Sequence, residues 1–226
     1  MPSTPYNLPE CVAFCATLIP VDSTDYEELF GPIWCNSEFI EGAVLKRRVQ
    51  YLAGRWCARE AMRRLGHPPT PIARDHQGRP CWPNGVTGSI THSDTLAAAA
   101  VARTRDMEAL GIDCEALLDT AVAREIAGLV AAPDEITRAT AIGPDNAAGI
   151  SLIFSAKEAL YKCLNPIVRR FFDHREAELV EVDAAVGRFL IRLLVDLDTR
   201  FRAGRVFEGS FGIGDGHVHT TIALPR

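Results

Sequence analysis

Residues 111–115 read Gly-Ile-Asp-Cys-Glu, the end of a short apolar strand that carries two carboxylates. In an extended segment, side chains two positions apart point to the same side, so Asp113 and Glu115 lie together and Cys114 faces away. Two carboxylates on one side make half of a site for a hard cation such as magnesium, which prefers oxygen ligands. The same pattern is common on exposed strand edges. Other parts of the sequence are therefore needed to distinguish a metal site from an exposed strand edge.

A second pattern with an acidic residue follows some forty residues later. The sequence predicts a helix from Phe154 to Leu164, and Pro166 indicates its end. This helix carries Glu158, a natural third metal ligand or a base, and Lys162. Two structural interpretations stay open at this point. Ser155 and Glu158 match a capping box at a helix start, and Glu158 with Lys162 is a pair that commonly stabilises a helix by roughly 0.2–0.5 kcal/mol.

A basic region precedes both motifs. Residues 40–80 contain nine Lys or Arg against three acidic residues, a net charge of +6, in a chain whose formal total is −5. Helical periodicity predicts one helix from Gly42 to Leu65, with Arg48, Arg55 and Arg59 on one stripe. Such a stripe suits a polyphosphate or an acidic partner, although a charge run is more often a solvated helix face.

The remaining segments predict a mixture of helices and strands. The Pro- and Gly-rich residues 68–88 predict an ordered loop, followed by a short strand or turn at 89–92 and a buried strand at 96–102. Residues 120–148 predict one or two helices, and the C-terminal third predicts antiparallel strands.

The composition bounds the class of protein. With 226 residues and 47% hydrophobic content, the chain is long enough for one large globular unit or two packed halves. Seven scattered cysteines without metal-ligand spacing indicate reduced thiols in the cytoplasm. No apolar run is long enough for a membrane span, and the acidic total disfavours a general nucleic-acid binder.

The motifs occur in an order that resembles the 4'-phosphopantetheinyl transferases of the enterobactin-synthesis type. The resemblance is detailed over about residues 40 to 165, and it rests on Lys46–Arg48, Leu52–Arg59, Gly78–Pro83, Gly88–His92, Gly111–Glu115 and Phe154–Lys162. It implies an α+β fold with a pseudo-twofold arrangement of two similar α/β halves in one chain. Residues 1–110 would form the half with the coenzyme A-binding basic helix and loop, and residues 111–226 the half with magnesium and the catalytic helix.

The resemblance also implies a reaction. A magnesium-dependent enzyme of this type moves the 4'-phosphopantetheine arm of coenzyme A to a serine of an apo acyl or peptidyl carrier protein and releases 3',5'-ADP. Asp113, Glu115 and Glu158 would hold one magnesium ion, with manganese as an alternative. Glu158 would be the general base, and Lys162 would neutralise the pyrophosphate, so that the catalytic residues are Glu158, Lys162 and Asp113.

The contacts to coenzyme A that the resemblance implies come from basic and strand residues. His92 would contact a phosphate of the ADP portion. Either Arg48 or Arg47, and either Arg74 or Arg79, would bind the other phosphates of coenzyme A. The complete set is Arg48, Arg55, Arg74, Arg79, Ser89, Ile90, Thr91, His92, Asp113, Lys157 and Lys162.

The expected partners are carrier proteins and coenzyme A, for a cytoplasmic monomer that binds neither nucleic acid nor membrane. The sequence does not say whether the carriers serve siderophore, nonribosomal peptide or polyketide synthesis. Two alternatives stay open: a metal-dependent coenzyme A phosphohydrolase, and a non-catalytic module that binds carrier protein or coenzyme A. The intact set Asp113, Glu115, Glu158 and Lys162 argues against the second.

Overall fold

The computed structural model describes residues 6–20, 30, 42–68, 70–143 and 146–226. Its helices are α1 (Leu45–Arg64), α2 (Thr120–Val130), α3 (Pro133–Ala139) and α4 (Ala147–Val168), with short 3-10 helices η1 (Thr140–Ile142) and η2 (His174–Glu176). Its strands are β1 (Ala13–Leu18), β2 (Ala73–Arg74), β3 (Pro80–Cys81), β4 (Val86–His92), β5 (Leu96–Arg103), β6 (Met107–Ala116), β7 (Ala177–Asp183), β8 (Arg188–Leu193), β9 (Val206–Gly214) and β10 (His217–Pro225). The predicted α+β class is confirmed. Among the described residues, no helix has the length and apolar character that a membrane crossing requires.

The described residues divide into two compact units. The N-terminal unit falls within Pro9–Leu110 and Leu224–Arg226, and the C-terminal unit falls within Met1–Leu8 and Gly111–Ala223. The chain passes from the first to the second along β6, at Gly111.

The N-terminal unit contains a three-stranded antiparallel sheet in the order β1-β5-β4, and α1 packs against it. The middle strand β5 is an alanine-rich run that is fully buried from Ala97 to Ala102. Small side chains there, and Gly54 on α1, let helix and sheet approach closely. A Cβ at Gly54 would lie 2.8 Å from Cγ2 of Ile90.

The structure confirms the predicted helix 42–65, which begins three residues later, at Leu45. The predicted ordered loop contains a small hairpin, in which β2 and β3 pair through Ala73 with Cys81 and Arg74 with Pro80. Gly78 lies in its turn with a φ of +89°, a conformation that glycine adopts without strain.

The C-terminal unit contains a five-stranded sheet in the order β6-β10-β9-β8-β7. Strands β7 to β10 pair antiparallel with their neighbours in sequence, as the alternating pattern predicts. The long helix α4 buries Ile150, Leu152, Ile153, Leu160 and Leu164 completely or nearly so, and these residues form the centre of this unit's core.

Helix α4 is longer than the sequence predicts. It begins at Ala147, because the apolar residues from Ile150 to Ile153 have a core to enter and continue the helix upstream. The capping-box interpretation of Ser155 and Glu158 is therefore wrong, since Ser155 lies inside the helix. Pro166 does not end the helix either. It removes only the amide that would bond to the carbonyl of Lys162, and the helix continues to Val168.

Strand β6 and helix α4 approach each other closely at Gly111. A Cβ on this residue would lie 1.9 Å from the carbonyl oxygen of Ala159 and 2.7 Å from the amide nitrogen of Cys163. No real Cβ tolerates such distances to backbone atoms. Glycine therefore permits α4 to lie directly on β6, beside Asp113.

Replacing Gly111 by alanine is expected to destabilise the protein by about 1–3 kcal/mol or more, because the helix must move away from the strand. Chemical unfolding measures this change. Gly128→Ala is the matched control, since Gly128 lies within α2 and a Cβ added there would meet nothing within 4 Å. This control should stabilise the helix by up to about 1 kcal/mol. Equal unfolding midpoints for Gly111→Ala and the unmutated protein would contradict the close contact.

Candidate active site

Asp113 is the buried centre of the acidic motif, with 1% of its surface exposed. Its Oδ2 accepts a hydrogen bond from Oγ of Ser155 at 2.8 Å, and its Oδ1 lies 2.5 Å from Nζ of Lys162. Both donors belong to α4 and are seven positions apart, which places them on one face of the helix. Thr220 on β10 donates to the backbone carbonyl of Ser155, and Tyr6 donates to that of Asp113. The two donors of α4 thus fix the carboxylate, and Thr220 and Tyr6 fix the backbone on either side of the contact.

Lys162 lies within the field of all three predicted acidic residues. Its side chain is 27% exposed. Burial acts to lower the pKa of Lys162, but the Asp113 carboxylate, followed by Glu158 and Glu115, raises the pKa above its ordinary value overall. Lys162 therefore stays an ammonium at neutral pH, and the three carboxylates together make this place favourable for a cation.

Glu158 is half-buried on α4, and its Oε1 lies 2.9 Å from Nε2 of His174. Burial acts to raise the pKa of Glu158, but the hydrogen bond with His174 and the charge of Lys162 lower the pKa below its ordinary value overall. The carboxylate is therefore ionised at neutral pH, in the form that a metal ligand or a general base requires.

His174 is a residue of this site that the sequence motifs do not include. It lies sixteen positions after Glu158, outside the motifs that carry the family resemblance. The local signal is the Asp173 to Glu176 spacing of a capping box, which predicts a turn there but no partner for Glu158.

The oxygen donors of this site are of the type that magnesium prefers. Among the described residues, no three or more His, Cys, Asp or Glu side chains are grouped so that they could hold a metal ion, so Asp113, Glu115 and Glu158 do not form a complete ligand set. Magnesium usually takes one or two carboxylates and completes its shell with water and substrate phosphates. A carboxylate oxygen has two lone-pair positions, so an oxygen that accepts from Ser155 or Lys162 can also face a cation. Asp113, Glu115 and Glu158 are the residues that would contribute.

Lys157 has a different environment from Lys162. Its Nζ lies 2.9 Å from the Glu135 carboxylate and 2.8 Å from the carbonyl oxygen of Val130, and both charged side chains are 3% exposed. Glu135 also accepts hydrogen bonds from the amides of Ala132 and Leu179. This buried pair joins α3, α4 and β7. Its geometry gives Lys157 a structural role, and the predicted contact with coenzyme A stays a prediction.

In the N-terminal unit, the structure brings together His92 and Arg47. Nη1 of Arg47 lies 2.7 Å from Nε2 of His92, and since arginine has no acceptor, Nε2 of His92 must accept the hydrogen bond. Of the two competing arginines, Arg47 is the one that contacts His92. Arg48 lies on the next position of α1, half-buried.

The other predicted nucleotide contacts are distributed over α1, β4 and the β2-β3 hairpin. On β4, Ser89 and Thr91 are buried, whereas Ile90 faces Gly54 on α1. The guanidinium of Arg55 lies 4.6 Å from the ring centre of Tyr51.

The hairpin distinguishes its two arginines. Arg79 is held by Asp75, with Nε 2.7 Å from Oδ2, while the guanidinium of Arg74 lies against Gly78. Burial acts to raise the pKa of Asp75, but the hydrogen bonds from Arg79 and from the amide of Gln77 lower the pKa overall. The Asp75 contact thus supports the turn, while Nη1 of Arg79 is buried without a hydrogen-bond partner among the described residues, and the predicted contact of Arg79 with coenzyme A stays a prediction.

Comparison with known proteins places these residues in a family. The family model of the 4'-phosphopantetheinyl transferase N-terminal domain matches residues 36–102, and that of the 4'-phosphopantetheinyl transferase superfamily matches residues 109–219. The chain therefore belongs to the 4'-phosphopantetheinyl transferase family, and the resemblance found in the sequence is confirmed.

Individual relatives agree with this assignment. The chain is 39% identical to the 4'-phosphopantetheinyl transferase Svp of Streptomyces mobaraensis, over 80% of this chain and 74% of that protein. It is 32% identical to the 4'-phosphopantetheinyl transferase PptT of Mycobacterium tuberculosis, over 88% and 91% of the two chains. It is also 32% identical to the enterobactin synthase component D of Salmonella typhimurium, over 66% and 61%.

Lys157→Met is expected to lower the free energy of unfolding by about 3 kcal/mol, because it leaves the buried Glu135 carboxylate without its counter-charge. Chemical unfolding measures the loss. Lys46→Met is the matched control, since the Lys46–Asp94 pair is exposed on both sides, at 64% and 69%, and should contribute little. If Lys157→Met were as stable as Lys46→Met but bound coenzyme A poorly, the predicted ligand contact would replace the structural role.

Proposed function

We propose that this transferase moves the 4'-phosphopantetheine arm of coenzyme A to a serine hydroxyl of apo acyl or peptidyl carrier proteins, releases 3',5'-ADP, and depends on magnesium. One observation carries the proposal. The buried Asp113 on β6 lies 2.5 Å from the ammonium of Lys162 on α4, and the charges of Glu158 and Glu115 act on the same ammonium.

The reaction requires a base and a stabilised leaving group. The serine oxygen forms a bond to the β-phosphorus of coenzyme A while the bond to the bridging oxygen breaks and 3',5'-ADP leaves. Glu158 accepts the serine proton as general base. Lys162 neutralises charge that develops on the pyrophosphate oxygens, and its raised pKa keeps it charged for this task.

Asp113 has a positioning role in the same place. Its carboxylate is fixed by Ser155 and Lys162, so the ammonium is held in one position before substrate arrives. Prior positioning of this kind supplies much of the acceleration in phosphoryl-type transfers. Magnesium, when bound by Asp113, Glu115 and Glu158, supplies Lewis-acid polarisation of the phosphate oxygens.

The basic residues of α1, β4 and the hairpin are assigned to the ADP portion of coenzyme A. The contact between Arg47 and His92 supports a phosphate at His92, because an arginine with several N–H donors lies beside the imidazole there. Arg48, Arg55 and Arg74 are assigned to the remaining phosphate charge, and Ser89, Ile90 and Thr91 to the nucleotide. Arg79 is assigned to supporting the hairpin through Asp75.

The partners follow from the family and from charge. Acyl and peptidyl carrier proteins are acidic helical proteins, and the N-terminal turns of α1 present Lys46, Arg47 and Arg48. We assign the protein to the cytoplasm as a monomer, on the strength of its scattered cysteines and the single-chain pairing of both family regions.

Intact-protein mass spectrometry tests the activity. A panel of apo carrier proteins is incubated with this protein, coenzyme A and magnesium, with a chelator in parallel. We expect each accepted carrier to gain one phosphopantetheinyl arm on its serine, and the gain to disappear with the chelator. Breakdown of coenzyme A without a gain on any carrier would instead establish a phosphohydrolase.

Glu158→Ala is the matched variant for this experiment. It should keep its affinity for coenzyme A, measured by calorimetry, and lose about 100-fold or more of the transfer rate, because general bases contribute about 10²–10⁴-fold. Transfer at the unmutated rate would contradict the assignment of Glu158 as base and ligand.

A further inference from the structure

His174 contacts the catalytic face of α4 at two points. Its Nε2 lies 2.9 Å from Oε1 of Glu158, and its ring stacks on Phe154 with the centres 5.1 Å apart and the planes at 22°. Phe154 and Glu158 are four positions apart on the helix and therefore lie on the same face. The imidazole of His174 thus stacks on Phe154 and forms a hydrogen bond with Glu158, one helical turn further along the same face.

The segment that carries His174 is itself fixed. The Asp173 side chain accepts a hydrogen bond from the amide of Arg175, and the Glu176 side chain accepts one from the amide of Asp173. Side chains at both ends of η2 therefore bond to backbone amides of the turn. Glu176 also pairs with Arg170 at 2.7 Å. These contacts fix the backbone that carries His174, independently of Glu158.

A fixed donor matters for a glutamate base. The terminal carboxylate torsion of glutamate is broad, so an unrestrained Glu158 would sample many orientations. An ionised carboxylate only accepts hydrogen bonds, so Nε2 of His174 must be the donor to Oε1. With Oε1 held in this way, Oε2 has a defined direction for the serine proton or a cation.

We propose that His174 is a positioning residue for Glu158: its Nε2–H donates to Oε1 and orients the carboxylate for proton transfer, while the stack on Phe154 fixes the ring. This inference rests on the proposed function of Glu158 as base. In this proposal His174 acts through Glu158 and not through a contact of its own with coenzyme A or the carrier serine. Its effect should appear in the rate of transfer and not in the affinity for coenzyme A.

Two substitutions separate the hydrogen bond from packing. His174→Ala removes both the donor and the stacked ring, whereas His174→Gln keeps an amide N–H near the place of Nε2. Phe154→Leu removes the stack and keeps the histidine donor. His67→Gln serves as a control histidine, because its ring contacts the Pro68 carbonyl in the N-terminal unit.

We expect His174→Ala to lower kcat for carrier modification by about 10- to 100-fold, the usual cost of losing a hydrogen-bond partner of a metal-ligating side chain, with KM for coenzyme A changed by less than about twofold. His174→Gln should recover most of kcat. Phe154→Leu should lose less than His174→Ala, and His67→Gln should match the unmutated protein. Thermal unfolding and calorimetric binding of coenzyme A accompany each variant.

A double-mutant cycle with Glu158→Ala identifies the group through which His174 acts. If His174 acts through Glu158, adding His174→Ala to Glu158→Ala should change the residual rate by less than about twofold. An unchanged kcat in His174→Ala, an equal loss in Phe154→Leu, no recovery in His174→Gln, or the full loss in the Glu158→Ala background would each overturn the inference. An unmutated protein that modifies no carrier would overturn the proposed function itself, and the inference with it.

Discussion

The lack of a side chain at Gly111 decides where α4 can lie on β6. With Ala159 and Cys163 of the helix backbone against this glycine, the helix face that carries Ser155 and Lys162 is brought to Asp113, two positions further along the strand. A larger residue would separate the helix from the strand, and the donors would leave the carboxylate. The glycine of the motif is therefore a requirement of packing, and the chemistry of the site depends on that packing.

The site concentrates charge where water is partly excluded. Asp113 is nearly fully buried, and an unpaired carboxylate there would be costly. Lys162 and Ser155 offset this cost, and the remaining acids keep the ammonium protonated. The adjacent residues Lys157 and Glu158 of α4 have different surroundings, because successive helical residues point about 100° apart. Lys157 stabilises the fold with Glu135, whereas Glu158 meets His174.

The sequence predicted what depends on local periodicity. Alternation along the strand placed Asp113 and Glu115 on one side, and helical spacing placed Glu158 and Lys162 on one helix. Prediction from the sequence failed where the decisive contact joins residues that are distant along the chain. The extension of α4 to Ala147 depends on a core that only the tertiary structure supplies, and Ser155 therefore binds Asp113 and does not cap the helix. Nor does any local pattern indicate that His174 meets Glu158.

The central claim is that β6 and α4 form a site for a divalent ion and a pyrophosphate. Cation binding tests this claim most directly. Manganese offers a paramagnetic probe, and electron paramagnetic resonance counts the bound ion with and without coenzyme A. We expect one manganese ion per protein when coenzyme A is present, with the affinity weakened at least about tenfold by Asp113→Asn, because a carboxylate ligand is lost. Equal binding by the unmutated protein and Asp113→Asn would contradict the site.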